Sequence, residues 1–294
     1  MNLIAVRRGA RRATVAGLFA TSLLLFAGCP LEEFTVETIF LRPQAEVVGS
    51  PADFGYEFDE VDIELGDDRK VSTWHVRAND PKGVVVVIPG SDRNKSRYLI
   101  GLPVFIPNGY DVILMDYEGF GDSSGGPLML DRLVEDGLAV VEYALTQHDA
   151  VIAFGVSTGA SPAVAAARQH DLAALILEAP LILRAEPELW LTENGFHFPF
   201  AWNVAVAWIA PQLTEDFKIL KHIGEVDEPK LIMQSTEDEV VTFRSGQLVF
   251  EHASEPKTFF EMRGGHGDMI ELEPELYTRT VIDWLDDVLS GDAQ

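Results

Sequence analysis

Five residues, Gly155-Val156-Ser157-Thr158-Gly159, constrain this chain most. Before them runs Ala150-Val151-Ile152-Ala153-Phe154, short and apolar like a buried strand. After them, residues 160–170 are alanine-rich, like a helix. A strand that turns sharply into a helix at G-x-S-x-G holds the serine in a strained conformation, and only small residues fit two positions to either side. The turn lifts the hydroxyl clear of a sheet and aims a helix N-terminus at it. Such a junction belongs to a parallel α/β sheet, with the serine at the carboxyl end of its strand.

The rest of the chain repeats that alternation. Phe58 to Leu65 and Arg69 to Val76 alternate in polarity around Gly66-Asp67-Asp68 and read as a hairpin. Further strands are expected near 84–88, 112–116, 150–154, 173–177, 230–234 and 257–262, separated by helical stretches. The expected fold class is α/β, with a mostly parallel central sheet of about eight strands flanked by helices. Apolar residues make up 47% of the 294, enough for the core of one such domain.

Ser157 is the candidate nucleophile, and it needs a base and a group to orient that base. Chains with this turn supply them in the order serine, acid, histidine. Residues 229–235 read as a strand followed by Thr236-Glu237-Asp238-Glu239, so three carboxylates compete at one strand end. After the last strand comes Arg263-Gly264-Gly265-His266-Gly267-Asp268. Of seven histidines, His266 alone lies in a glycine-rich loop directly after a late strand, which makes it the candidate base. His75 falls in an early strand pattern, and His148 and His170 at polar ends of helical stretches. Oxyanion donors are expected from the backbone N–H of Thr158 and, after the strand Val84 to Ile88, from the N–H of Ser91 in Pro89-Gly90-Ser91.

These motifs, with Asp116-Tyr117-Glu118-Gly119-Phe120-Gly121-Asp122-Ser123-Ser124-Gly125, resemble the α/β-hydrolase superfamily of serine hydrolases. The likeness is to its monoglyceride-lipase and BEM46-like branch, from about residue 58 onward. The resemblance implies hydrolysis of carboxylic esters or related acyl bonds, a small-molecule acyl substrate and no cofactor. It favours Asp238 as the orienting acid and gives Asp116 a structural role. It also implies a lid between the sixth and seventh strands, where residues 183–228 form a long insert containing Trp190, Phe196, Phe198, Phe200, Trp202 and Trp208. One departure stands out: Pro89 replaces the histidine usual before Gly90, which bears on the oxyanion loop and on substrate choice. A catalytically silent α/β-hydrolase serving as an anchored binding module is the alternative reading.

The N-terminus reads separately. Arg7, Arg8, Arg11 and Arg12 precede an apolar stretch, Ala13 to Ala27, too short to span a bilayer comfortably. Phe26-Ala27-Gly28-Cys29 resembles a bacterial lipobox, with Cys29 lipidated after a leader of residues 1–28. Cys29 is the only cysteine, so no intrachain disulfide is available. Residues 29–55 are expected as a tether and 56–294 as the domain. The expected location is outside the cytoplasm, lipid-anchored to a bacterial membrane; Pro30 after the cysteine favours the outer membrane or cell surface. The formal charge of −25 repels nucleic acid.

Overall fold

The computed structural model describes residues 41–126, 129–182 and 218–291. Eight strands form one sheet: β1 (Phe58–Gly66), β2 (Arg69–Val76), β3 (Gly83–Ile88), β4 (Tyr110–Met115), β5 (Val151–Val156), β6 (Ala174–Glu178), β7 (Lys230–Ser235) and β8 (Lys257–Met262). Their spatial order is β1-β2-β4-β3-β5-β6-β7-β8. The β1–β2 hairpin joins β4 antiparallel, and all strands from β4 to β8 run parallel.

Burial follows from that arrangement. β3 to β7 are buried at every residue, because helices cover both faces; this is why they read as unbroken apolar runs. On one face, Val84, Val86 and Ile88 pack with α1 (Leu130–Gln147), α2 (Ala160–Gln169) and α3 (Phe243–His252). On the other, Val85 and Val87 pack with Leu99, Leu102 and Phe105 and with the C-terminal helix α4 (Pro274–Ser290). α4 contributes Tyr277, Val281 and Leu285, an i, i+4, i+8 stripe.

β5 runs two residues further than the sequence suggests, through Gly155 and Val156, straight into Ser157. Residues 41–55, at the end of the segment read as a tether, lie on the domain. Arg42 N donates to Ser91 O at 2.8 Å and Gly121 N to Gln44 O at 2.9 Å. Asn94 Nδ2 donates to Gln44 O and Glu46 O at 3.2 and 2.7 Å, and Val48 N to Ser96 Oγ at 2.9 Å. The leader, Cys29 and residues 183–217 of the expected lid, with its six aromatic residues, lie outside the described residues.

Candidate active site

The carboxyl ends of β5, β7 and β8 share one rim, which receives Ser157, Asp238 and His266. Ser157 has φ 55°, a left-handed conformation that a side-chain-bearing residue adopts only under local constraint. The two glycines around it permit that conformation. A Cβ on Gly155 would stand 2.5 Å from Gly159 O, and one on Gly159 would stand 2.2 Å from Ile88 O. Strand, turn and helix therefore close on one another with no space for a methyl group. Thr158, next in the turn, is buried, and its Oγ1 has no hydrogen-bond partner.

Two tyrosines hold the loop after β3 against this turn. Tyr117 Oη donates to Pro89 O at 3.0 Å, and Gly90 N donates to Tyr98 Oη at 2.8 Å. A Cβ on Gly90 would lie 3.4 Å from Ser157 Cβ. Ser91 thus follows directly on the residue that faces the serine. Farther along, Lys95 is wholly buried; its Nζ bonds Asp116 Oδ2 at 2.6 Å, Asp122 Oδ2 at 2.7 Å and Ser72 Oγ at 3.1 Å. Asp116 also accepts from Lys95 N at 2.6 Å and Asp122 N at 3.0 Å. Its carboxylate therefore pins the loop after β3 to the glycine-rich block after β4. Gly121, at φ 46°, makes room for it: a Cβ there would fall 2.0 Å from Asp116 Oδ2.

Of the three competing carboxylates, the structure brings Asp238 to His266. Asp238 Oδ2 lies 2.8 Å from His266 Nδ1, and its side chain is fully buried. Its Oδ1 accepts from Val240 N at 2.8 Å and Val241 N at 2.9 Å, which fixes the carboxylate plane. Glu237 points elsewhere, with Oε1 3.3 Å from Arg263 Nη2. The His266 loop turns at Gly264 (φ 113°) and Gly267 (φ 78°) and is tied back by Ser235 Oγ donating to Gly264 O at 2.6 Å. Burial disfavours charge on His266. The hydrogen bond and charge of Asp238, with Asp92 adding to them, outweigh it and hold the imidazole above its ordinary 6.5.

Two further ionisable groups stand at this rim without having been anticipated. Arg93 presses its guanidinium on the histidine loop: a Cβ on Gly267 would lie 2.8 Å from Arg93 Nη1 and Nη2. Glu178 ends β6 between the serine and histidine strands and accepts from Tyr277 Oη at 2.5 Å. Burial pushes the Glu178 carboxyl above the ordinary range, against the Tyr277 hydrogen bond and the positive fields of His266 and Arg93. A carboxylate closing a buried strand at the active rim was a visible signal for Glu178. Arg93 offered none, since its loop position gives no hint of where a long side chain reaches.

Comparisons with known proteins bear on the fold that carries this site. A family model described as serine aminopeptidase, S33, matches residues 79–219. An uncharacterized protein of Mycobacterium tuberculosis is 26% identical over 218 residues, which cover 71% of this chain and 72% of that protein. Alpha/beta hydrolase domain-containing protein 17B of Xenopus laevis is 28% identical over 164 residues, 54% of this chain and 51% of that protein. Among solved structures, an esterase of Pyrococcus furiosus superposes with a TM-score of 0.69 at 17% identity, over 85% of this chain and 98% of the esterase. That superposition identifies the fold as the α/β-hydrolase fold.

Proposed function

We propose that this α/β-hydrolase-fold chain is a serine hydrolase that cleaves carboxylic esters or related acyl bonds through an acyl-enzyme. The observation that carries the reading is the 2.8 Å pairing of Asp238 with His266 Nδ1 on the rim where Ser157 is held at φ 55°. Asp238 keeps the Nδ1 proton in place, which leaves Nε2 as the lone pair that takes the Ser157 proton. The freed Oγ attacks the acyl carbonyl. The N–H groups of Ser91 and Thr158 receive the resulting oxyanion. His266 then returns the proton to the departing alcohol, and water repeats the sequence to release the acid. The tyrosine-held loop supports this role for Ser91, since a donor must be preorganised where charge develops. No step calls on a cofactor.

Esters take precedence over amides because the solved structures this fold resembles include esterases and the candidate lid is aromatic. Labelling by a fluorophosphonate probe and hydrolysis of graded p-nitrophenyl esters test the reading together. Ser157→Ala should abolish labelling and lower kcat on the order of 10⁴–10⁶-fold while leaving the unfolding curve unchanged. Near-wild-type turnover in that variant, or a wild type inert to both reagents, would sink the assignment; the second result would favour a silent binding module.

The same reading includes export and lipidation at Cys29, on the strength of the arginine-rich start, the apolar stretch and Ala27-Gly28-Cys29. Cys29→Ser should move the protein from the membrane fraction to a soluble or unprocessed form. A soluble wild type whose N-terminus is not Cys29 would refute the anchor.

A further inference from the structure

Far from the serine, at the opposite rim of the sheet, three side chains aim one atom each at a common point. His75 comes from the end of β2, Asp111 from the amino end of β4, and His148 from the residue that caps α1. His75 Nε2 lies 3.3 Å from Asp111 Oδ2, His148 Nε2 lies 3.4 Å from His75 Nε2, and His148 Nε2 lies 3.4 Å from Asp111 Oδ2. The three atoms make a nearly equilateral triangle. Zinc holds nitrogen and oxygen ligands at about 2.0–2.1 Å, and a tetrahedron of that radius has edges of about 3.3–3.4 Å. The triangle therefore matches one face of a zinc tetrahedron.

We propose that His75 Nε2, Asp111 Oδ2 and His148 Nε2 form a structural zinc site. Three observations favour it over a cluster joined only by hydrogen bonds. Charge-assisted N–H···O contacts settle at about 2.7–2.9 Å, shorter than either histidine's distance to Asp111 here. The two Nε2 atoms face each other, and a shared cation satisfies both lone pairs where a proton on either nitrogen satisfies one. The outer contacts also suit a metal. Tyr143 Oη stands 3.4 Å from His75 Nδ1, and Asp111 Oδ1 accepts from Ala78 N at 2.7 Å, so two of the three ligands are oriented through their far atoms. His75 and Asp111 are buried, while the His148 side chain is 10% exposed, so His148 is the corner of the triangle nearest solvent. Arg77 approaches Asp111 Oδ2 only to 4.0 Å; it is half exposed and bonded to Asp59 at 3.1 Å, so its charge is partly spent elsewhere.

Two imidazoles and one carboxylate suit zinc rather than calcium or magnesium, which prefer oxygen donors. The position indicates a structural role. Asp111 lies at the amino end of β4, whereas Ser157, Asp238 and His266 follow the carboxyl ends of β5, β7 and β8. A bound ion would tie the antiparallel hairpin, the parallel sheet and the end of α1 at one point.

The test uses the full chain carrying no polyhistidine tag. It is stripped with EDTA, dialysed against zinc sulfate, and measured for metal content and melting temperature. We expect one zinc per chain and a rise in Tm of about 5–10 °C at hundredfold excess over Kd. Cobalt in place of zinc should give the intense visible absorption of four-coordinate Co²⁺. His148→Gln, at the exposed corner, should weaken zinc binding at least tenfold and leave ester hydrolysis unchanged, whereas His266→Gln should bind zinc as wild type does. A wild type that takes up no zinc, a weak octahedral cobalt spectrum, or undiminished binding in His148→Gln would each overturn the site. The cobalt spectrum needs no variant and decides the matter even if His148→Gln fails to fold.

Discussion

Replacing Asp238 with asparagine separates charge from shape at the candidate active site. The substitution is nearly isosteric, and the donors around it decide how the amide sits: Gln234 Nε2 reaches Oδ2 only at 3.3 Å, whereas two backbone donors hold Oδ1 more closely. Val240 N and Val241 N, 2.8 and 2.9 Å from Asp238 Oδ1, require an acceptor, so the asparagine carbonyl must face them. Its NH₂ then faces His266 Nδ1, where the carboxylate oxygen had stood at 2.8 Å. A donor there forces the imidazole proton onto Nε2, and Nε2 can no longer take the proton of Ser157. The expected loss is about 10⁴-fold in kcat, or about 5 kcal/mol of transition-state stabilisation. The assay is steady-state p-nitrophenyl ester hydrolysis, with Glu237→Gln as the control because Glu237 faces Arg263. The pH profile gives a second readout. A base works only when neutral, so the rate falls as pH drops through the folded-state pKa of His266. Asp238 holds that value above 6.5, so the acidic limb of wild type should lie above 6.5 and that of Asp238→Asn below it. Stability follows the same linkage. The pairing contributes fully below the unfolded value and is lost as pH rises through the folded one, so Asp238→Asn should be more destabilising at pH 5.5 than at pH 8. Activity of Asp238→Asn within tenfold of wild type, or a larger loss from Glu237→Gln, would refute the reasoning.

Two other substitutions test the scaffold. Lys95→Met leaves the buried Asp116 carboxylate without its 2.6 Å cation; two backbone N–H groups still serve it, so the cost should be near the low end of about 3–5 kcal/mol by urea unfolding, and adding Asp116→Asn should recover part of it. A cost under about 1 kcal/mol would mean that the pair does not pin the two loops. Gly159→Ala places a methyl 2.2 Å from Ile88 O and should cost about 2 kcal/mol or more with at least a hundredfold loss of activity, while Gly125→Ala, with nothing within 4 Å, should stay within about 0.5 kcal/mol of wild type.

What could be read from the sequence was what local rules encode. Val84 to Ile88 and Val151 to Phe154 announce themselves as buried strands because every residue is apolar, and Gly155 and Gly159 mark the turn because nothing larger fits. His266 was recognisable from its glycines. Asp238 was one of three neighbours by local pattern and was singled out only by the family resemblance, since which carboxylate turns inward depends on the donors of Val240 and Val241. Arg93 and the His75, Asp111 and His148 cluster were beyond reach. The cluster draws on positions 36 and 73 residues apart, and they meet only because β2 pairs with β4 antiparallel while α1 returns to the same end of the sheet. Pairing order, not composition, brings them together.

The seating of residues 41–48 against the loop after β3 bears on how the domain is held. Arg42 is bonded to Ser91, so the chain leaves the domain beside the candidate oxyanion loop and not from the far pole. An anchor at Cys29 would leave about a dozen residues as a leash, at most about 40 Å when fully drawn out. That is no longer than the width of a domain this size, roughly 40–45 Å. If Cys29 is lipidated as proposed, a leash so short, rooted at the active rim, would keep that rim from swinging to the side away from the bilayer. Acyl chains dissolved in the leaflet would then be met at the high effective concentration of an intramolecular encounter, and acyl compounds free in bulk water would not.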